Sequence, residues 1–191
     1  MSRASSVKFT YQDYLQLPED RRYEIIGGEL FLTPAPGTRH QRISARLQFL
    51  LTRRVRETGE GEIFNAPCDL LLSETDVVQP DLLFVARGRE RIVEERYVSA
   101  APDLVVEILS ESTAKRDRGI KAKLYERTGV KEFWIVDPWE KTVEIFRRDG
   151  PAFVLHARFG ASETLRTPTF PGLEIPLSEV FQAADDVTTP A

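Results

Sequence analysis

One cysteine, Cys68, stands among 191 residues. It has no partner for an internal disulfide and cannot build a cysteine-cluster zinc site. Histidine is as scarce, with only His40 and His156, so no cluster of soft ligands competes for a metal. No apolar run approaches the roughly 20 residues that a membrane-crossing helix needs. The opening MSRASSVKFTYQDY lacks the long apolar stretch of a secretory signal. A cytoplasmic protein without a membrane partner is the resulting expectation. There is no G-x-S-x-G elbow for serine chemistry. There is no glycine-rich phosphate loop either, since Gly27-Gly28 lacks the spacing and the following helix.

What is present describes an ordinary globular chain, 41% hydrophobic and 29% charged. The length suits one domain over residues 1–191, with a core over about 11–181 and a flexible tail over about 183–191. A formal net charge of -4 is not a nucleic-acid footprint, but the charge is uneven. Residues 36–56 hold six arginines, Arg39, Arg42 and Arg46 among them, and no acid. Residues 115–131 hold seven basic residues, including Lys115 and Arg116, against Asp117 and Glu126. Such stretches fit two solvated helix faces, or a surface that steers a phosphate polymer.

Periodicity predicts a mixed sheet with helices packed on it. A short helix over residues 11–17 is stopped by Pro18. Residues 23–32 read as two strands joined at Gly27-Gly28. A helix over residues 38–58, capped by Thr38, places Ile43, Leu47, Leu50 and Leu51 on one stripe. Strands are expected over 62–73 (bent at Pro67), 77–86, 103–110, 133–137, 142–148 and 153–158. A second helix, over about 115–128, follows Ser112 and Thr113 and ends at Gly129.

The chemistry concentrates in PDLVVEILS, where Glu107 sits in an otherwise apolar strand. A buried carboxylate there is costly unless a partner or a metal neutralises it. Side chains alternate along a strand, so Glu107 shares a face with Asp103, Val105 and Leu109, and Asp81 in VVQPDLLFVA shares one with Gln79 and Leu83. If the two strands are neighbours, Asp81 and Glu107 converge. Paired carboxylates repel unless one is protonated or a cation lies between them, and oxygen donors suit Mg2+ or Mn2+. On a helical wheel, Ile120 and Leu124 mark the buried side of the second helix, and Lys121 lies beside them, able to reach Glu107. Asp117, four residues earlier, can orient that lysine.

The order Pro80-Asp81, Glu107-x-Leu109 and Lys121 resembles the PD-(D/E)xK nuclease superfamily with a migrated lysine. The segments YEIIGGEL, VVQPDLLFV, PDLVVEILSEST and GVKEFWIVDP, with His40 after a proline-rich loop and the Asp117, Lys121, Tyr125 spacing, resemble the Uma-two family of restriction endonucleases. The resemblance implies an α/β (α+β) fold, a restriction-endonuclease-like mixed β-sheet core flanked by helices. It implies a metal-dependent DNA endonuclease that hydrolyses phosphodiester bonds with Mg2+ or Mn2+. Asp81 and Glu107 would hold the metal, Lys121 would take the motif lysine's place, and Glu24 matches an acidic position near such sites. Leu109 stands where the usual motif has lysine. The alternative is a catalytically inactive nuclease fold that serves as a nucleic-acid-binding or protein-interaction module. Candidate nucleic-acid contacts are His40, Arg39, Arg42, Lys115 and Arg116. For the lone His40, a capping or packing role fits as well. Cutting two strands with one site per chain suggests a homodimer.

Overall fold

Gly27 and Gly28 fold the first hairpin. Their φ angles of 61° and 85° lie where side chains are disfavoured, and they join strand β1 (Arg22–Ile26) to β2 (Glu29–Thr33) by a two-residue turn. The computed structural model describes residues 7–18 and 20–182. The tail expected to be flexible, 183–191, lies outside the described residues.

Two expected strands are each cut by a proline. The run over 62–73 is β3 (Gly61–Asn65) and β4 (Asp69–Ser73), with Pro67 between them. The run over 77–86 is β5 (Asp76–Val78) and β6 (Leu82–Ala86), parted at Gln79-Pro80-Asp81. Proline has no N–H for a central ladder, so at each break the chain leaves one sheet for another rather than bending within it. The first sheet runs β2-β1-β5-β4-β7, where β7 is Tyr97–Val98. The second runs β11-β10-β9-β8-β6-β3. Its other members are β8 (Leu104–Ile108), β9 (Glu132–Asp137), β10 (Thr142–Asp149) and β11 (Ala152–Gly160). Strands β12 (Thr164–Leu165) and β13 (Ile175–Pro176) form a small separate ribbon.

Alternation gives the second sheet two buried faces. Leu82, Phe84, Leu104, Val106, Ile108, Trp134 and Val136 pack on helix α2 (Thr38–Thr58) through Ile43, Leu47, Leu51 and Val55. Each such side chain is worth about 1.5–3 kcal/mol when fully buried. Thr38 is the first helical residue of α2 rather than its cap; Gly37 takes the cap position without a side-chain bond. Val85, Leu83, Val105, Phe133 and Ile135 face the first sheet and meet Ile26, Leu70 and Val78. Two short helices, α1 (Tyr11–Tyr14) and α5 (Leu177–Phe181), flank the ends; residues 177–181 were not expected to be helical. Among the described residues no helix is long and apolar enough to cross a membrane.

The second long helix is not uniform. It comprises α3 (Ala114–Arg116), a π-turn at Asp117–Lys121 and α4 (Ala122–Thr128). The wheel placed Ile120 on the buried side, yet it is 41% exposed, while Asp117 and Lys121 are buried. The extra residue of the π-turn rotates the inward stripe by about one position, which a 3.6-residue wheel cannot anticipate.

Candidate active site

Strands β6 and β8 are antiparallel neighbours, with Leu82 opposite Val106 and Leu83 opposite Val105. Continuing that register one step sets Asp81 opposite Glu107. Strand β9 runs parallel to β8, so the start of β6 and the ends of β8 and β9 share one end of the sheet. Both acids line a cleft of about 400 Å3 there, with Glu24, Asp117, Lys121 and Arg116.

Each of the two facing carboxylates has one committed oxygen. Asp81 Oδ2 accepts from the Ile108 N–H at 2.7 Å and meets His40 Nε2 at 3.1 Å. Glu107 Oε1 accepts from the Tyr125 hydroxyl at 2.5 Å and from Lys121 Nζ at 2.6 Å. Among the described residues no donor reaches Asp81 Oδ1 or Glu107 Oε2. These are hard oxygen donors on neighbouring strands of a polar cleft, so they fit an oxygen-loving divalent cation. Among the described residues no group of three acidic, histidine or cysteine side chains is placed to hold a metal ion. Mg2+ usually keeps several waters and takes one or two carboxylates together with substrate phosphate.

Glu24 is differently employed. Its Oε1 accepts from the Gln79 N–H and from Lys121 Nζ, both at 3.0 Å. Its Oε2 pairs with Arg116 at 3.2 Å and accepts from Thr33 at 3.3 Å. With both oxygens engaged, Glu24 holds the lysine rather than facing the cleft with a free donor atom. Burial disfavours its charge, but Lys121, Arg116 and the Gln79 amide overcome that and keep its carboxyl below the usual range. Arg116 also lies over the Phe31 ring, 5.6 Å from its centroid.

Lys121 is 2% exposed, and its ammonium is shared among Glu107, Glu24 and Asp117, the last at 3.8 Å. Burial works against its charge; the three carboxylates outweigh burial and hold it charged far above the ordinary lysine range. Glu107 responds oppositely. Burial raises its carboxyl well above the usual value, Lys121 opposes this, and Asp117, Asp81 and Glu24 add to it. Asp117 is raised too, by burial first. Five carboxylates (Glu24, Asp81, Glu107, Glu111 and Asp117) against Arg22, Arg39, Arg116 and Lys121 leave the cleft formally one negative charge.

The structure thus brings Asp81, Glu107, Lys121 and Glu24 into one cluster, with His40 and Arg116 on it. Arg39 lines the cleft; Arg42 lines an adjoining groove, and Lys115 is exposed on α3. Tyr125 is fully buried, and its bond to Glu107 was not anticipated from the sequence. Its place one helical turn after Lys121 was the available signal. Gln79 and Thr33 gave no such signal. The second Pro-Asp pair has another fate: Asp103, at the far end of β8, is gripped by Arg89 at 2.8 Å and Lys131 at 2.7 Å.

Comparison with known proteins bears on the fold and the family. A crystal structure of a putative nuclease belonging to DUF820, from Anabaena variabilis, has the same fold, with a TM-score of 0.75 at 21% identity. The match covers 90% of this chain and 97% of that one. Two uncharacterised proteins of Synechocystis are each 25% identical, one over 92% of both chains, the other over 77% of this chain and 85% of its own. Residues 11–178 match the Uma-two family, described as putative restriction endonuclease, and the chain belongs to that family.

Proposed function

We propose that this protein is a metal-dependent DNA endonuclease that hydrolyses phosphodiester bonds at the Asp81–Glu107 pair. The observation that carries the reading is the pair of uncommitted oxygens, Asp81 Oδ1 and Glu107 Oε2, in a cleft of net negative charge beside a buried, charged lysine. Asp81 and Glu107 would hold Mg2+ or Mn2+, with the Ile108 carbonyl as a further candidate ligand. The bound cation supplies Lewis-acid polarisation of the phosphate and a more acidic water. Ile108 and His40 fix the Asp81 carboxylate by binding its inner oxygen. Tyr125 and Lys121 do the same for Glu107. Lys121 keeps its proton and offsets negative charge that builds on the phosphate. Glu24 and Asp117 position that ammonium, which needs their help because Leu109 occupies the usual lysine position. Exposed basic residues, Arg39 and Arg42 on α2 and Lys115 on α3, contact the backbone and give position without sequence preference. A homodimer would bring two such sites together.

The test is cleavage of supercoiled plasmid with Mg2+ or Mn2+, with Asp81→Ala and Glu107→Gln beside the parent and Mn2+ affinity measured by calorimetry. The parent cuts, and both variants lose cutting and Mn2+ binding while keeping the parent's circular dichroism. A parent that binds no Mn2+ and cuts nothing leaves only the inactive-module reading. Cutting at the parent rate by Glu107→Gln removes Glu107 from the mechanism.

A further inference from the structure

Trp139 is the exposed large aromatic residue of the cleft, with 44% of its surface open to solvent. It follows β9 in a pinned turn. The N–H groups of Trp139 and Glu140 both donate to Asp137 Oδ1, each at 3.0 Å. Arg118 lies 3.6 Å from Asp137 Oδ2 and also pairs with Glu144, tying the turn to the helix and to β10. Lys141, at φ 52°, closes it. The indole is therefore presented by a short hydrogen-bonded turn rather than by a long loop.

The ring also borders two cavities. One is the cleft floored by Asp81 and Glu107; the other is an adjoining groove of about 230 Å3 lined by Arg39, Arg42 and Lys141. None of those three has an ion-pair partner among the described residues, so they are open to an anion. The cleft and the groove adjoin at Arg39, Pro138 and Trp139, so a strand passing from the carboxylates to the basic groove runs beside the indole. In an intact duplex each base face is covered by its neighbours and only edges show in the grooves. An indole takes a base face only where that base is unpaired or unstacked.

We infer that Trp139 stacks on an unpaired base beside the phosphate held at Asp81 and Glu107, so that the substrate is single-stranded DNA or an unpaired stretch in a duplex. The strand then continues into the groove of Arg39, Arg42 and Lys141. This rests on the nuclease reading for the position of the scissile phosphate.

The experiment uses intrinsic fluorescence. Trp134 is fully buried, so ligand-dependent changes in emission report Trp139. Oligo-dT and a blunt duplex are titrated separately into the parent, with Ca2+ in place of Mg2+, and the affinities of the parent, Trp139→Ala and Trp139→Phe for oligo-dT are compared by the anisotropy of the dye-labelled strand, since the variants lack the reporting indole. Oligo-dT quenches the parent saturably and the duplex does so far less. Trp139→Ala weakens oligo-dT binding about tenfold, the loss of one stacked base, and Trp139→Phe retains most of the affinity. Unquenched emission, equal quenching by the duplex, or parent-like affinity in Trp139→Ala overturns the inference, the last pointing to a protein-facing role for the ring. Cleavage with Mg2+ or Mn2+ is read in parallel. Quenching without cutting leaves the stacking role standing and sinks the nuclease reading. Cutting by Trp139→Ala at the parent rate on oligo-dT sinks the stacking role alone.

Discussion

Replacing Lys121 with methionine removes one charge from the point where three carboxylates meet. The ammonium lies 2.6 Å from Glu107, 3.0 Å from Glu24 and 3.8 Å from Asp117, with almost no solvent access. Methionine matches the aliphatic stem, so the loss is of charge rather than volume. Removing one partner of a buried pair costs about 3–5 kcal/mol, because the other charge is left without compensation. Arg116 still neutralises Glu24, so the stranded groups are Glu107 and Asp117. In a chain of this size each kcal/mol moves the melting temperature by about 2–4 °C, so Lys121→Met should melt about 6–20 °C below the parent near pH 8. The pH dependence has a definite sign. Glu107 and Asp117 have carboxyls raised above their unfolded values, and removal of the lysine raises them further. Their folded forms then bind protons more readily than the unfolded chain does. The penalty is therefore largest at high pH and shrinks as pH falls through the raised values toward the ordinary carboxylate range. Differential scanning calorimetry at several pH values reads both effects. The double variant Lys121→Met/Glu107→Gln should recover part of the loss, since it removes a stranded charge. A melting shift under about 3 °C at pH 8, or strict additivity in the double variant, refutes the claim that this lysine compensates the carboxylates.

Tyr125→Phe deletes the hydroxyl that donates to Glu107 Oε1 and should cost about 1.5–3 kcal/mol in urea unfolding, as expected for a hydrogen bond to a charged group; an unchanged midpoint would show the bond to be dispensable. Acid should unfold the protein partly through Asp76 and Asp103. Burial opposes their ionisation, but Ser73, the Gly27 N–H and Arg127 around Asp76, and Lys131, the Ala86 N–H and Arg89 around Asp103, outweigh it and depress both carboxyls. Depressed carboxyls contribute stability above their unfolded values, and that contribution is lost as pH falls through the folded ones. Asp103→Asn should flatten this acid limb of the urea midpoint plotted against pH; an unchanged slope would contradict it.

Glu107 was legible because a carboxylate among Val105, Val106, Ile108 and Leu109 demands an explanation from the sequence alone. The meeting with Asp81 was legible because side-chain alternation needed only that β6 and β8 be adjacent, and they are. The division into two sheets was hidden. Pro67 and Pro80 look the same in sequence whether a strand bends or the chain departs for another sheet; only long-range pairing decides. The lysine was found by a wheel that misplaced Ile120, because a π-turn leaves no mark in hydrophobic spacing. The several bonds on Glu24 were unreadable, since Gln79, Thr33 and Arg116 come from three separate stretches of chain.

Lys121 joins β1 of one sheet, through Glu24, to β8 of the other, through Glu107. Until the two sheets dock, Lys121 lacks Glu24, one of the carboxylates that hold its ammonium in place. Docking of the sheets therefore completes the setting of the lysine. The ion cluster is in this sense a clasp between the two sheets, and its geometry reports whether they have closed on one another.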